Sequence, residues 1–329
     1  MTTVLDTIDK GTAYLEKKGI DDARRNMQLL VTHQLGCSRV ELYMQFDRPM
    51  TEEQLTPLRE KLKRRGHGEP LQHLLGTVEF YRREFKTDAR ALIPRPETEE
   101  LTALILSHPA LKIPPTLTSD PEPLSVEPDQ EQTLPDSPPQ ADSYQLRILD
   151  MGTGSGVLGL SLALEFGGRC QEIILADISP DALELAGENA SLLGVPRLTL
   201  CESQLFSNLE GESFHILAAN LPYIAETDRD SLSPEVQHDP PAALFGGKDG
   251  LDILRDFIQQ APSHMHPGGI IALEIGHNQA EAVESMLESA GFTDITTHKD
   301  LNQIPRFPIA SYPGPPEPLS PPNSPLPIS

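Results

Sequence analysis

The chain has 329 residues, 38% of them hydrophobic, with a formal net charge of −23. That is enough for one α/β domain of roughly 200 residues and a smaller companion. No basic start followed by an apolar run occupies Met1 to Thr12, and no stretch reaches the about 18 to 20 apolar residues that cross a bilayer, so a soluble, cytoplasmic protein is expected.

Cys37, Cys170 and Cys201 stand far apart, in no CxxC or Cys/His spacing, which argues against a disulfide framework or zinc site and for three reduced, mostly buried thiols. The charge is unevenly spread: residues 1–86 carry 15 Lys and Arg against 13 Asp and Glu, residues 87–329 carry 11 against 36. So acidic a second half repels a phosphate backbone, because nucleic-acid affinity comes largely from cations that neutralise phosphates. A protein or small-molecule substrate is expected, without direct nucleic-acid binding. The basic run Lys61, Lys63, Arg64 and Arg65 reads as the solvated face of a helix, with contact to RNA or an acidic protein face as the alternative.

From Val4 to about Arg65, apolar residues recur at helical spacing, as in Ala23, Met27, Leu30, Val31 and Leu35, with breaks at Gly36, Pro49 and Pro57. This predicts a helical bundle over residues 1–75. Asp21 and Asp22, then Thr51 with Glu52 and Glu53, stand where N-caps and acidic first turns belong. After Gly66 and Gly68, the alternation from Gly76 to Phe85 predicts a β-hairpin linker over 76–88, and the second domain runs from about Ala89 to 312.

Residues 108–144 hold nine prolines and seven acidic residues, and 313–329 eight more prolines. Neither segment has the apolar surface to offset the entropy of ordering, so a disordered insertion and a disordered tail are expected. For the tail, a polyproline-II ligand is the alternative to a purely solvated segment.

Between them strands and helices alternate: Leu146 to Met151 a strand, Val157 to Phe166 a helix, Ile173 to Asp177 a strand, and Pro180 to Leu193 a helix capped by Ser179. Leu198 to Cys201, Phe214 to Ala219 and Ile270 to Ile275 give further strands, and Asn278 to Ala290 a helix. Such an order is an α/β doubly wound, mostly parallel sheet, whose ligands sit at the carboxyl ends of the strands where the strand order switches.

The loop after the first of these strands reads Asp150-Met151-Gly152-Thr153-Gly154-Ser155-Gly156. Alternate glycines let the backbone turn tightly and approach a ligand, with free N–H groups at the start of the following helix. Gly154, Gly156 and Gly159 also fit GxGxxG, but counted from Gly152, the first glycine after the strand, the third dinucleotide glycine is replaced by Val157. The loop instead resembles the S-adenosylmethionine loop of class I methyltransferases, Rossmann-like proteins in which the glycines pass under the methionine part. The acid after the second strand, here Asp177, then accepts hydrogen bonds from the ribose.

Asn220-Leu221-Pro222-Tyr223 follows the fourth strand. A planar NH₂ nitrogen is a weak nucleophile because its lone pair is delocalised, so an enzyme must orient it and support developing positive charge. The Asn220 side-chain oxygen and the Leu221 carbonyl can accept its two N–H bonds, with Pro222 stiffening the turn and Tyr223 stacking on the planar group. The plain alternative is an Asn-Pro turn leaving a buried strand.

Taken with Glu69 to Gln72, Gly76 to Tyr81, Ile93 to Glu99, Asp239 to Leu244, Gly246 to Leu251 and Glu274 to Gly276, these motifs resemble the release-factor glutamine methyltransferase family over nearly everything outside the insertion and tail. The resemblance implies that a helical domain docks a class 1 peptide chain release factor. It also implies that a methyltransferase domain methylates the N5 of the glutamine in its Gly-Gly-Gln motif, with S-adenosyl-L-methionine as cofactor. Implied cofactor contacts are Gly152, Thr153, Gly154, Ser155, Gly156, Asp177, Gln204, Leu205 and Asn220; implied catalytic and substrate contacts are Asn220, Leu221, Pro222 and Tyr223.

Two departures matter. The family's usual Asn-Pro-Pro-Tyr is here Asn-Leu-Pro-Tyr, a form also seen in ribosomal-RNA adenine N6-methyltransferases, which stand as a second reading. Where relatives often have Gly-Asp-Leu-Phe, this chain has Ser203-Gln204-Leu205-Phe206, so Gln204 would meet the adenine edge through an amide. A non-catalytic cofactor sensor or scaffold is a third. Arg95, Glu97 and Glu99 either close over cofactor or substrate or form an acidic first helical turn. His264 and His266 are expected in a solvated loop rather than as a metal pair, and Asp239 as a turn or capping residue rather than a base.

Overall fold

The computed structural model describes residues 2–111 and 145–315; the expected insertion beyond residue 111 and the tail beyond 315 lie outside the described residues. The helical period of the N-terminal segment becomes five helices: α1 (Val4–Lys17), α2 (Ala23–Leu35), α3 (Arg39–Met44), α4 (Glu52–Arg65) and α5 (Leu71–Leu75). Their apolar stripes meet in one core of Ile8, Met27, Leu30, Leu42 and Leu58, each such burial worth about 1.5–3 kcal/mol. Thr51 stands at the start of α4 as expected, with its N–H bonded to Gln54 Oε1 at 3.1 Å.

Three details of this bundle correct the sequence reading. Asp22 precedes α2 in a left-handed conformation with no side-chain cap. Pro57 does not break α4 but lies within it, costing only the hydrogen bond its missing N–H would have made. Arg65 is not on a solvated face: its side chain is 4% exposed and pairs with Glu235, while Nε donates to Asn26 Oδ1 at 2.7 Å.

A hairpin of β1 (Thr77–Phe80) and β2 (Arg83–Lys86) follows, paired antiparallel. Phe80 and Phe85 are buried in the core of the following sheet, so the hairpin docks on that unit. Next come α6 (Pro96–Ser107) and a 3-10 turn, Pro109–Leu111. Leu111 is buried in the core, so order persists three residues past the expected start of the insertion.

The sheet strands are β3 (Leu146–Met151), β4 (Cys170–Asp177), β5 (Leu198–Glu202), β6 (Phe214–Ala219), β7 (Met265–Leu273), β8 (Thr293–Lys299) and β9 (Pro305–Ser311). They lie in the order β5-β4-β3-β6-β7-β9-β8. The first five are parallel, and β9 runs antiparallel between β7 and β8. Period-two alternation sends Leu146 and Ile148 to one face, with α6, α7 (Val157–Phe166) and α8 (Pro180–Leu193). Leu149 and Met151 go to the other, with α9 (Asp252–Gln260) and α10 (Ala280–Ser289). The strand order reverses between β3 and β6, and the crevice expected of a doubly wound sheet opens there.

The expected β7 was displaced. It begins at Met265 and ends at Leu273, so His266 is part of the strand and stacks on His215 at 4.3 Å, while His264 stacks on Phe206 at 4.3 Å. Neither histidine belongs to a solvated loop, and no three-residue metal cluster occurs among the described residues. The same displacement leaves Glu274 just beyond the strand end. No helix among the described residues is long and apolar enough to cross a membrane.

Candidate active site

The loop after β3 is fixed from beneath. Asp150, 1% exposed, accepts from Thr153 Oγ1 at 2.6 Å and from Gly159 N at 2.9 Å, stitching the strand end to the first turn of α7. Burial pushes this carboxyl up to about 6. Gly152 has φ +68°, and a Cβ there would lie 2.9 Å from Leu221 Cδ2, so the loop passes against the Asn220 turn in a way only glycine allows.

A cavity of about 260 Å³ opens over this loop. Its wall includes the four residues Gly152 to Ser155 and Asp177, Gln204, Leu205, Asn220, Leu221 and Pro222, while Gly156 lies one residue behind it. The sequence-predicted residues therefore converge, with Tyr223 the other exception. Its ring sits beside Gly276, where an added Cβ would be 3.1 Å from Tyr223 Cδ2, and burial pushes its phenol up to about 12. Tyr223 backs the site instead of stacking within the cavity, because Gln279 Nε2 holds its carbonyl at 3.0 Å and turns the chain away.

Asp177 accepts from Gly154 N and Ser179 N, both at 2.9 Å, and no cation among the described residues pairs with it. Burial raises its pKa. A half-buried carboxylate on a cavity wall, with lone pairs to spare and no counter-ion, suits a pair of ribose hydroxyls. Gln204 is exposed at the rim, and the Leu205 carbonyl is taken by Ser203 Oγ at 2.6 Å. The Leu205 side chain is thus left to flank a planar ring, while its carbonyl is already engaged.

The reacting end is built from residues far apart in the chain. Asn220 Nδ2 donates to Thr98 Oγ1 at 3.2 Å, and Thr98 Oγ1 donates to Glu274 Oε2 at 2.7 Å. Glu274 is 1% exposed, and burial pushes it up to about 7. Neither the Asn220 side-chain oxygen nor the Leu221 carbonyl receives a hydrogen bond from within the described residues. Two adjacent acceptors without donors are what a primary amide, with its two N–H bonds, requires.

Asp239 caps the 3-10 turn Val236–His238 as expected, its N–H bonding Val236 O at 3.0 Å, and it stands one residue before Pro240 of the cavity wall. Its buried carboxylate accepts from Arg95 Nη2 at 2.9 Å and Ile93 N at 3.2 Å, because the 226–244 segment folds back over the start of α6. Arg95 lines the cavity, while Glu97 and Glu99 form the acidic first turn of α6. Sequence reasoning passed over Thr98, the Arg95–Asp239 pair and the orienting part of Glu274. All three lie inside motifs it had singled out, but no spacing announces contacts across 144 to 176 residues.

The sheet order, the glycine loop at its switch point and the acid after the second sheet strand define a class I methyltransferase that uses S-adenosylmethionine. Residues 6–76 match the PrmC N-terminal domain and residues 142–304 a methyltransferase domain. The chain is 35% identical over 305 residues to the release factor glutamine methyltransferase of Geobacter sulfurreducens, covering 92% of this chain and 95% of that protein. It is 32% identical over 302 residues to the protein of the same name from Deinococcus radiodurans, covering 92% and 96%. The chain belongs to the release factor glutamine methyltransferase family.

Proposed function

We propose that the protein transfers a methyl group from S-adenosylmethionine to the side-chain amide nitrogen, N5, of the glutamine in the Gly-Gly-Gln motif of class 1 peptide chain release factors. The observation that carries this reading is that two successive residues of the cavity wall, Asn220 and Leu221, hold acceptors, Oδ1 and the backbone O, that no donor among the described residues engages. Both N–H bonds of a glutamine amide are then engaged, which draws electron density onto nitrogen and holds it in one orientation. The bound cofactor supplies a sulfonium methyl as electrophile.

Gly152 to Gly156 and Asp177 hold the cofactor, with Gln204 and Leu205 at its adenine end. Pro222 stiffens the substrate turn. The proton released after transfer passes to water, so no dedicated base is assigned. Because the acceptor at 221 is a backbone carbonyl, Leu in place of the family's usual Pro preserves the chemistry.

In this reading residues 1–75 form the surface that receives the release factor, 76–88 the linker and 89–312 the catalytic unit, acting in the cytoplasm where translation terminates. The acidity of residues 87–329, with 36 Asp and Glu against 11 Lys and Arg, disfavours an RNA substrate. The deciding experiment incubates the protein with labelled S-adenosylmethionine and, separately, unmethylated release factor and ribosomal RNA, then maps the label by mass spectrometry. Methyl on the Gly-Gly-Gln glutamine supports the proposal. Label confined to RNA adenine replaces it with nucleic-acid methylation, and label in neither replaces it with cofactor sensing.

A further inference from the structure

Glu274 is a buried carboxylate with no cation among the described residues within ion-pair distance, and Arg306 gives its Nε to Asp300 at 3.0 Å instead. Such a group is costly to bury unless it accepts strong hydrogen bonds, and buried unpaired acids cluster at functional sites. Its place is set by the backbone: Glu274 N donates to Ala219 O at 3.0 Å, which registers the residue beside Asn220 immediately past the ends of β6 and β7.

We propose that Glu274 and Thr98 are positioning residues for methyl transfer: together they fix the Asn220 amide with its NH₂ turned away from the cavity and its oxygen turned toward the substrate amide. This rests on the glutamine-amide reading of the site. The Thr98 hydroxyl has one proton, and at 2.7 Å it goes to Glu274 Oε2. Toward Asn220 the same oxygen can only accept, so the group 3.2 Å away must be the NH₂. The Asn220 NH₂ also favours the ionised form of Glu274. Rotating the amide by a half turn would set its oxygen against a carboxylate and a hydroxyl whose proton is already committed. The pair therefore locks the one orientation in which Oδ1 is available to substrate.

The lock depends on the ionised carboxylate, which accepts only. The charged and titratable groups facing Glu274 are Arg306 from β9, Glu97 from α6 and Tyr223 behind the substrate turn. Burial opposes ionisation most, the Thr98 hydrogen bond and Arg306 favour it, Glu97 opposes it, and the balance sits at about 7.

The test compares the full-length protein with Glu274→Gln, Thr98→Val and Thr98→Ser. It measures kcat and KM for unmethylated release factor at saturating cofactor, cofactor Kd by calorimetry, and hydrogen exchange of the Asn220 side-chain NH₂ by NMR. E274Q and T98V are expected to lower kcat about 10- to 100-fold while KM and cofactor Kd stay within about threefold. T98S, which keeps the hydroxyl, retains kcat within about threefold, and the double variant E274Q/T98V is no worse than its slower parent because both act through one amide. Wild-type kcat falls as pH drops through the Glu274 range, E274Q lacks that acid limb, and the Asn220 NH₂ exchanges faster in E274Q.

Wild-type kcat and pH profile in E274Q would overturn the proposal. So would a parallel loss of kcat, cofactor affinity and melting temperature that T98S does not rescue, which marks a structural role. If the wild-type protein leaves the release-factor glutamine unmethylated, the functional reading fails instead. The NH₂ exchange then decides the positioning lock by itself: unchanged protection in E274Q overturns it, and lost protection upholds it.

Discussion

The carboxylate of Asp239 ties the segment before Pro240 to the approach to α6: it accepts from Arg95 Nη2 at 2.9 Å and from the backbone N–H of Ile93 at 3.2 Å, across 144 and 146 residues of chain. Ile93 N is buried and its hydrogen bond in this contact is the Asp239 carboxylate, so Asp239→Ala leaves a buried donor unsatisfied and frees the segment that carries Arg95. Arg95 is about one-third exposed, 37%, and water screens its share of the loss. A stability decrease of about 2 kcal/mol in urea unfolding is expected, with cofactor affinity weakened about tenfold. D239N keeps an acceptor for Ile93 and should lose roughly half as much. Wild-type cofactor affinity in D239A would show that the wall stands without this tie.

Gly246 packs its backbone directly against the Asn220–Tyr223 turn. A Cβ at that position would lie 2.3 Å from Pro222 O and 2.6 Å from Gly250 O, both backbone atoms with no freedom to move aside. The segment 246–250 also bonds the chain beyond the turn, through Gly246 N to Ile224 O at 2.9 Å and Glu226 N to Gly247 O at 3.0 Å. Gly246→Ala must therefore displace Asn220 to Tyr223, and a shift approaching 1 Å lowers kcat on the order of 100-fold. Overpacking costs a further 1–3 kcal/mol or about that in stability. Gly168→Ala, where an added Cβ meets nothing within 4 Å, is the control and should match wild type in both assays.

Much of this architecture is legible from local pattern alone. The limits of β3, α7, α8 and β6 follow from apolar runs bounded by Gly152, Gly167, Ser179 and Asn220, and the glycine loop and Asp177 meet because adjacent parallel strands end together. Helix α9 carries its signal in Leu254, Phe257 and Ile258 at helical spacing, a segment to which the sequence reading assigns no element. Strand β9 was hidden by Pro305 and Pro308, residues that argue against a strand flanked on both sides. It pairs with β7 only at Ile309 to Ser311, so Pro308 stands beyond that ladder. The Thr98–Glu274 and Arg65–Glu235 contacts had no local trace. Long-range pairing of side chains is decided by topology and packing, which the period of a sequence does not encode.

Burial of Asp150 has a consequence for pH. Its pKa is pushed from 3.8 to about 6, so between these values the folded chain holds a proton that the unfolded chain has lost. Stability must then fall as pH rises through that window and level off above it. Asp150→Asn keeps an oxygen for the Thr153 hydroxyl and Gly159 N–H without the charge. The difference in unfolding free energy between wild type and D150N, measured without cofactor, should shift against wild type on the order of 2 kcal/mol from pH 4.5 to pH 7.5. A difference that stays flat over this range would mean that the carboxylate is solvated in the folded protein.

In the proposed reading Asn220 meets the reacting group on one side and the Thr98–Glu274 pair on the other, and this separates its part in catalysis from any part in holding the cofactor. Asn220→Ala removes one of two acceptors for the glutamine amide, while Gly152 to Gly156 and Asp177 keep their own hydrogen bonds. The loss should fall on kcat, by about 100- to 1,000-fold as when one donor is taken from a preorganised site, and cofactor Kd should stay within about threefold. Asn220→Asp, nearly the same shape, is expected to fare no better: it sets a second acid beside Glu274 and exchanges the NH₂ that Thr98 requires for an acceptor. Rapid-quench turnover with release factor, paired with calorimetric titration of cofactor into each variant, distinguishes the cases. If N220A lost cofactor affinity in proportion to kcat, Asn220 would be part of the cofactor cradle, and the two-acceptor account of amide activation would rest on Leu221 alone.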